Sequence, residues 1–508
     1  MKKRVFYHEF TDSSTAQVVD YLSGKHSWQP VLMSGHDAES MRPWVNSNHS
    51  NCILQDTLEL RQGIFNYGKI GPPVPIDARI INSFAKYEMN FLANFPDPTG
   101  WNYSFEERKQ FYYSIIRYWN TALHHLKPDL LVFFTWPHTA TCHSLYLLGK
   151  YYYNIDILFL DAVPFFDRDY RVIGSSMEEL YFPFIRTYRS KKKITAGPDV
   201  VRYLAEIRSK QGKTPEHIRE VYTQEKHITL KQEFKSFLEL LSATLKNGTG
   251  FKKMKVDWKK NQKPFYSERS RMNHFDFFFF SALLRRKNRK LTSVYKGFCS
   301  QPDFTRKYIY FAAPYQPEAV TLINGGRYED LFLVLDILSS VCPKDWVIYY
   351  KEHPATFLES FHGSLKRDSA FYEHVNSYGN ILIIPQYTDS FVLIDNSQAV
   401  ATAAGTVAWE SAARGKPAIS FGGAWYQGCK SIFTIDTVLD AEVAIKKILQ
   451  GYKPDQKDIE RYAAAIESIA FKGMLHPEFA NSAKKDRSPE FHMERIGMAL
   501  HQAHQRLY

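Results

Sequence analysis

Residues 130–160 read LLVFFTWPHTATCHSLYLLGKYYYNIDILFL, and this stretch decides the fold. It begins and ends with mostly apolar runs, LLVFFT and IDILFL, which predict strands buried on both faces. The segment between them has the length and pattern of a helix. A helix that joins two buried strands is typical of a parallel sheet covered on both sides. The stretch therefore predicts an α/β domain.

Strands and helices alternate in two parts of the chain. Arg4–Tyr7 and residues 31–36 are further strand candidates, so residues 1–175 are predicted to form a Rossmann-like domain. Residues 300–450 are predicted to form a second doubly wound domain, and 451–508 to be C-terminal helices that pack back on the domains. The strands predicted in the second domain are 307–313, 345–350, 380–385, 399–404 and 416–423.

Residues 176–299 differ from both predicted domains. They show polar helical patterns, a basic stretch KKMKVDWKK at 252–260 and an aromatic run FDFFFF at 275–280. This part is predicted to be a helical, basic and aromatic insertion or interdomain region. Its charge fits a solvated face, and it also fits a surface that rests on anionic membrane lipid.

The charge of the whole chain limits its partners. The 508 residues carry a formal net charge of +12, which suits nucleotides, acidic glycans or anionic lipid. No RNA-binding signature and no zinc-ligand spacing is evident, so nucleic acid is not an expected partner. Hydrophobic residues make up 44% of the chain, enough for real cores.

The cysteines and the hydropathy pattern indicate a compartment. The five cysteines are scattered and include no CxxC pair, which is typical of reduced thiols in the cytoplasm. The start, MKKRVFYHEF, lacks the apolar run of a signal peptide. The longest apolar run, 275–284, is about half of the roughly 20 residues that a membrane span needs. The protein is expected in the cytoplasm, as a soluble protein or peripherally on the inner face of the membrane.

Polar residues follow successive strands of the second predicted domain. The carboxyl ends of parallel strands meet at one edge of a sheet, which is where such sheets bind ligands. Lys351, His353 and Pro354 follow one strand, and Gly405 and Thr406 follow another and open a helix. A glycine that admits close approach, a helix N-terminus and cationic or N–H donors favour a phosphate. Together they predict a nucleotide site.

Other residues at this edge receive more specific roles. Glu410, one helical turn after Thr406, is placed to accept hydrogen bonds from ribose hydroxyls. Glu318 is a candidate general base or nucleophile at the sugar, and Gln316 and Gln386 lie in neighbouring loops. Each residue alone has an ordinary structural explanation. It is the combination at successive strand ends that favours a donor-binding site.

The first domain supplies fewer candidates. His138 and Asp161 end two of its predicted strands and would contact an acceptor, although structural roles explain them as well. Asp167-Arg168-Asp169 has the DxD form of a metal site, but it lies in the domain that is not predicted to bind the nucleotide. No metal and no cofactor is therefore predicted.

Two Rossmann-like domains that face each other across a cleft, with a helical tail, form the outline of a GT-B glycosyltransferase. Three motifs add a family resemblance: YFAAPYQPEAVT (310–321), YYKEHP (349–354) and AAGTVAWESAARGKPAISFG (403–422). They resemble the bacterial capsule and surface-polysaccharide biosynthesis family, which includes the Kdo transferases. The resemblance covers roughly residues 300–425.

The resemblance implies a metal-independent transferase that uses a CMP-activated acidic sugar such as Kdo. His353 and Pro354 would contact the cytidine phosphate, and Glu318 falls in the loop where Kdo transferases place their catalytic carboxylate. The first domain and the insertion would bind a glycan or glycolipid acceptor. Two alternatives stay open: a polyol-phosphate transferase with a CDP-linked donor, and a non-catalytic glycan-binding or export-assisting protein.

Overall fold

The computed structural model describes most of the chain. The described ranges are 2–10, 13–36, 38–61, 63–94, 104–163, 170–177, 182–190, 194–209, 228–252, 273–358, 363–473 and 489–508. The DxD sequence Asp167-Arg168-Asp169 and nearly all of the basic stretch 252–260 lie outside these ranges.

The described strands form two separate sheets. In chain order they are β1 (Lys3–His8), β2 (Trp28–Gly35), β3 (Ile53–Asp56), β4 (Leu130–Phe133), β5 (Asp156–Ala162), β6 (Tyr170–Gly174), β7 (Lys307–Ala312), β8 (Trp346–Lys351), β9 (Ile381–Ile383), β10 (Ala399–Thr402), β11 (Ala418–Ser420), β12 (Phe433–Thr434) and β13 (Phe471–Lys472).

Helices connect most of these strands. In chain order they are α1 (Ser13–His26), α2 (Arg42–Asn48), α3 (Thr57–Arg61), α4 (Ala78–Asn82), α5 (Glu88–Asn94), α6 (Phe105–Leu126), α7 (Ala140–Leu147), α8 (Phe182–Arg189), α9 (Pro198–Arg208), α10 (Leu230–Asn247), α11 (His274–Phe298), α12 (Ala319–Gly325), α13 (Leu331–Val341), α14 (Ser369–Ser377), α15 (Ser390–Asn396), α16 (Val407–Ala413), α17 (Val438–Leu449), α18 (Gln456–Glu467) and α19 (Pro489–Leu507). None of these helices combines the length and the apolar character that crossing a membrane requires.

The first sheet has the order β13-β6-β5-β4-β1-β2-β3. Strands β1 to β5 run parallel to one another, whereas β6 is antiparallel to β5 and β13 is antiparallel to β6. The two strands predicted from residues 130–160 are β4 and β5, and they pair in parallel as expected. The strand order reverses between β1 and β4, so the crevice that binds ligands in such sheets opens beyond their carboxyl ends.

The second sheet is parallel throughout, with the order β12-β11-β10-β7-β8-β9. Numbered from its own first strand, this is the 3-2-1-4-5-6 order of doubly wound nucleotide-binding folds, read from the opposite side of the sheet. Its order reverses between β7 and β10. The crevice of this sheet therefore opens between the loop after β7 and the loop after β10.

Strand β8 shows why this sequence forms a central strand. All six of its residues, WVIYYK, are buried. Trp346, Ile348 and Tyr350 pack into the cluster on one face of the sheet, and Val347 and Tyr349 pack into the cluster on the other. Burying an apolar side chain of this size contributes about 1.5–3 kcal/mol, so covering both faces strongly favours the strand.

The chain divides into two compact units. The first comprises Met1–Tyr203 with Arg461–Tyr508, and the second comprises Leu204–Glu460. Each contains one of the sheets, which confirms the predicted α/β class with two doubly wound domains. The four-part division at residues 175, 299 and 450 stays a prediction, as does the cleft between the domains.

Candidate active site

The candidate site lies at the carboxyl edge of the second sheet, where its parallel strands end. Strands β7 and β10 are neighbours in register, with Ala312 opposite Thr402 at their last residues. The Thr402 hydroxyl donates to the Ala312 carbonyl oxygen at 3.0 Å and accepts from the Gly405 N–H at 3.2 Å. This hydroxyl therefore joins the end of β7 to the loop after β10.

Lys351 ends β8 and is used inside the protein. Its Nζ donates to the Thr388 carbonyl oxygen at 2.9 Å and to Ser390 Oγ at 2.6 Å. Burial lowers the pKa of Lys351 to about 8, and the nearby Asp389 and Glu410 carboxylates oppose that shift. The Lys351 ammonium ties the end of β8 to Thr388 and to Ser390, the first residue of α15. Its predicted contact with a phosphate stays a prediction.

The next residue, Glu352, belongs to a buried network that the sequence did not predict. Glu352 is fully buried, and its Oε1 accepts from Arg367 Nε at 2.7 Å. The same oxygen accepts from the hydroxyls of Tyr350 at 2.5 Å and Tyr372 at 3.2 Å. A buried carboxylate persists only when it is paired and hydrogen-bonded in this way. Glu352 thus fixes the backbone at the end of β8, immediately before His353.

Gln316 is joined to that network. Its Oε1 accepts from Arg367 Nη1 at 2.8 Å, and its Nε2 donates to the Glu329 carbonyl oxygen at 2.7 Å. Gln316 is 2% exposed, and both the oxygen and the nitrogen of its amide are hydrogen-bonded within the protein. These bonds position the loop after β7. The predicted contact of Gln316 with the nucleotide stays a prediction.

His353 is the group best placed to donate to an anion. Its Nδ1 accepts from the Ala355 N–H at 3.1 Å, so the neutral ring carries its proton on Nε2. Burial lowers the pKa of His353 to about 4, with the neighbouring Glu352 carboxylate opposing that shift. Pro354 begins the 3₁₀ turn that follows, and its ring fixes the backbone next to His353. His353 is therefore a neutral N–H donor at physiological pH.

The loop after β7 carries the carboxylate candidate. Tyr315 places its ring 6.3 Å from the His353 ring, so the loops after β7 and β8 are neighbours. Glu318 precedes α12 and accepts a hydrogen bond from the Thr321 hydroxyl. Its side chain is exposed, yet the protein atoms around the carboxylate desolvate it enough to raise its pKa. A raised pKa suits a carboxylate that accepts a proton.

The loop after β10 brings Gly405 and Thr406 to the crevice. The Gly405 carbonyl oxygen accepts from the Tyr426 hydroxyl at 2.7 Å, and an added Cβ on Gly405 would lie 2.9 Å from Thr402 Oγ1. Thr406 is exposed, and its side chain makes no capping bond to α16. Thr406 stands at the N-cap position of α16 with helical backbone angles, φ −62° and ψ −17°, which do not suit a side-chain cap.

Glu410 lies within α16, and its charge interacts with Lys351. Burial raises the pKa of Glu410 to about 7, although the positive charges of Arg414 and Lys351 oppose the shift. Glu410 can therefore gain or lose a proton near neutral pH, as acid–base groups do. Gln386, in the loop after β9, is 5% exposed, and its Oε1 has no hydrogen-bond partner among the described residues.

A cavity of about 510 Å³ opens at the same edge, beside the end of β11. Two glycine pairs line it, Gly325-Gly326 and Gly422-Gly423, together with the aromatic ring of Tyr328. A Cβ on Gly422 would meet the Asn324 carbonyl oxygen at 2.7 Å, so only glycine lets these two loops approach. The predicted site did not include this cavity. The Gly-Gly pair at the end of the predicted strand 416–423 was the signal for it.

The acceptor candidates lie in the first unit. His138 follows β4, and its Nδ1–H donates to the Trp136 carbonyl oxygen at 2.6 Å. Burial lowers the pKa of His138. Asp161 is the penultimate residue of β5, and its Oδ1 accepts from the Ala162 N–H at 2.7 Å. Both are at the carboxyl edge of the first sheet, and their contact with an acceptor stays a prediction.

Comparison with known proteins gives distant structural matches. No protein-family model and no curated protein matches the chain. It is similar to a KpsC from Thermosulfurimonas dismutans, in its beta Kdo 2,7 transferase (9% identity, TM-score 0.31, covering 97% of this chain and 99% of that one). The beta Kdo 2,4 transferase of the same protein matches with 13% identity and a TM-score of 0.26, covering 66% of this chain and 79% of that one.

Another match is a UDP-GlcNAc 2-epimerase from Methanocaldococcus jannaschii, in complex with UDP-GlcNAc and UDP. It is 14% identical, with a TM-score of 0.25, and the match covers 92% of this chain and 100% of that one. The fold assignment rests on strand order and register in the two sheets.

Proposed function

We propose that the chain is a glycosyltransferase of bacterial surface or capsular polysaccharide synthesis. It transfers a sugar from a nucleotide-sugar donor, with CMP-Kdo or a related acidic sugar as the first choice, to a glycan or glycolipid acceptor. The observation that carries this proposal is the convergence of the loops after β7, β8 and β10 on the crevice of a nucleotide-type sheet. The motif resemblance of residues 310–321, 349–354 and 403–422 to Kdo transferases supports the choice of donor.

The proposed chemistry needs no metal at this edge. The Nε2–H of His353 donates to the phosphate that departs with the nucleotide, which stabilises its developing charge. Gly405 and Thr406 bring backbone and hydroxyl groups to the same phosphate. Glu318 either takes the proton of the acceptor hydroxyl, which inverts the anomeric centre, or attacks the sugar, which retains it.

Removal of the His353 imidazole is expected to weaken nucleotide binding. A hydrogen bond to a charged group contributes about 1.5–3 kcal/mol, so His353→Ala should raise the Kd for CMP roughly 10- to 100-fold. Isothermal titration calorimetry with CMP, CDP, UDP and GDP measures the Kd for each nucleotide and identifies the base that the site prefers. The control is His374→Ala, an exposed histidine on α14 of the same unit. An unchanged Kd in His353→Ala, or no binding by any nucleotide, would refute the assignment.

A product assay separates the two enzyme classes. Incubation with CMP-Kdo is expected to release CMP in the presence of a glycolipid acceptor, and incubation with CDP-glycerol is expected to release no nucleotide. Turnover of CDP-glycerol alone would instead assign a polyol-phosphate transferase. Binding of a nucleotide without turnover of either donor would favour the non-catalytic alternative.

We also propose that α10 rests on anionic lipid at the inner face of the membrane. Phe234, Leu238, Leu241 and Leu245 recur at helical spacing along α10 and are all exposed, Leu245 by 82%. Lysines on the same helix, such as Lys235 and Lys246, suit lipid phosphates. All five cysteines are free thiols, in keeping with a cytoplasmic location.

Cosedimentation with phosphatidylglycerol vesicles at low salt tests the lipid surface. The wild-type chain is expected to pellet with the vesicles, and the double variant Leu238→Asp, Leu245→Asp is expected to stay in solution. Leu439→Asp, on α17, is the matched control, because Leu439 is also exposed, by 69%. Equal pelleting of all three proteins, or of none, would contradict the proposal.

A further inference from the structure

The carboxyl edge of the first sheet holds a second cluster of reactive side chains. Strand β1 ends at His8, Glu9 follows it, and Cys142 lies in the first turn of α7, which follows β4. The order of the first sheet reverses between β1 and β4, so this cluster occupies the crevice of its own sheet. His8 is 1% exposed, Cys142 is fully buried, and Glu9 is 9% exposed.

The backbone of Glu9 is held in an unusual conformation. Its φ is +58°, in the left-handed region that residues with a side chain seldom adopt. Such a conformation costs of order 1–3 kcal/mol and persists mainly where the surroundings or a function demand it. Here it accompanies a carboxylate that lies between two histidines, His8 and His36.

Both histidines are oriented in the same way. His8 Nδ1 lies 2.5 Å from Ser34 Oγ, and His36 Nδ1 lies 3.0 Å from Thr57 Oγ1. Each ring is thereby fixed through Nδ1, and each presents Nε2 to the carboxylate of Glu9. Fixing one ring nitrogen by an outer hydrogen bond is how proteins orient a histidine that binds a metal through the other nitrogen.

The distances at the carboxylate fit metal ligands better than hydrogen bonds. His8 Nε2 is 3.6 Å from Glu9 Oε1, and His36 Nε2 is 3.6 Å from Glu9 Oε2. A hydrogen bond would be shorter than about 3.2 Å. Two ligand atoms bound tetrahedrally to one zinc ion at about 2.0–2.2 Å lie roughly 3.3–3.6 Å apart. Within the part of the chain that the structure describes, His8 Nε2 makes no hydrogen bond.

Cys142 completes a set of three. Ligand atoms of His8, Glu9 and Cys142 all lie within 4.8 Å of one another. We propose that His8 Nε2, the Glu9 carboxylate and Cys142 Sγ bind a zinc ion, with His36 beside the other carboxylate oxygen. Nitrogen, oxygen and sulfur together are a ligand set that Zn²⁺ accepts, and three protein ligands leave one position for water or substrate.

The charges of the site can balance. Cys142 binds as a thiolate and releases its proton to solvent, so the thiolate and the Glu9 carboxylate together offset the two charges of the ion. Arg61, on α3, interacts electrostatically with His8 and Cys142, and its positive charge opposes a cation. The thiolate and the carboxylate charges are therefore both needed, and removing either one should lower the affinity for the ion strongly.

Sequence spacing could not reveal this site. Its ligands come from positions 8, 9 and 142, which only the parallel pairing of β1 with β4 brings together. Zinc ligands are recognised in a sequence by their close spacing, and without such spacing no metal was predicted. The proposal concerns the first unit and does not depend on the nucleotide site of the second.

Cobalt is the probe for the test, because a thiolate bound to Co²⁺ gives a charge-transfer absorption band that free Co²⁺ lacks. The full chain is dialysed against a chelator and titrated with Co²⁺. We expect one ion per chain, the charge-transfer band, and displacement of Co²⁺ by Zn²⁺. Cys142→Ser should lose the band, and Cys52→Ser, a thiol elsewhere in the same unit, should keep it.

A second variant separates the loss of a metal ligand from the loss of the fold. Glu9→Gln preserves shape and removes the charge, so it should lower Co²⁺ affinity at least about tenfold while leaving the circular dichroism spectrum unchanged. Glu88→Gln, on α5 of the same unit, is its control. The proposal is overturned if the wild-type chain shows no charge-transfer band, or if folded Cys142→Ser and Glu9→Gln bind Co²⁺ as the wild type does.

Discussion

Replacing Glu352 with alanine is expected to lower the free energy of unfolding by about 3–5 kcal/mol, because it strands the buried guanidinium of Arg367 without its charge partner. Arg367 is 4% exposed and cannot recover its lost interaction from water. Guanidinium-induced unfolding, followed by circular dichroism, measures the change. Nucleotide affinity should fall as well, since Glu352 fixes the backbone that carries His353.

The matched control is an ion pair of the same unit that water can reach. Lys307 Nζ lies 3.0 Å from Asp345 Oδ2, and both side chains are more than half exposed. Exposed pairs contribute little, so Asp345→Ala should leave the unfolding midpoint almost unchanged. Equal effects of Glu352→Ala and Asp345→Ala would mean that the buried network does not support the end of β8.

Gly422→Val is expected to destabilise the chain by about 1–3 kcal/mol and to weaken CMP binding at least about tenfold. The reason is steric: any Cβ at this position meets the Asn324 and Ala403 carbonyl oxygens at 2.7 and 2.8 Å and the Gly325 Cα at 2.9 Å. Backbone atoms cannot rotate away, so the loops that line the cavity must separate. Thermal unfolding and CMP titration of the same samples check both effects.

The control is a glycine where an added Cβ would contact no other atom. Gly297 lies in α11, and an added Cβ there meets nothing within 4 Å. Gly297→Ala should therefore stabilise the chain, by about 0.5–1 kcal/mol, and leave CMP binding unchanged. If Gly422→Val binds CMP as tightly as Gly297→Ala does, the cavity is not part of the nucleotide site.

The strands that cross the centre of each sheet were the easiest to predict. Residues 130–160 and 345–350 contain consecutive apolar positions because both faces of β4, β5 and β8 are buried. The short strands β3, β12 and β13 at the sheet edges were missed. They have four, two and two residues, which is too short for a hydrophobic pattern to stand out.

The candidate residues lie at one edge of the second sheet, and their roles in binding stay predictions. The carboxyl ends of β7, β8 and β10 meet at one edge, as the parallel topology requires. Gln316 was placed at that edge, and its amide oxygen accepts a hydrogen bond from Arg367. Arg367 lies in a distant loop, so the order of strand ends in the sequence could not reveal this contact. Side-chain partners of this kind depend on three-dimensional packing and leave no local signal.

The measurement that tests the central claim most directly is a crystal structure of the chain with CMP. We expect the phosphate at the carboxyl edge of the second sheet, within hydrogen-bond distance of His353 Nε2 and next to Gly405 and Thr406. Binding of CMP at the edge of the first sheet, or no binding at millimolar concentration, would contradict the proposed function.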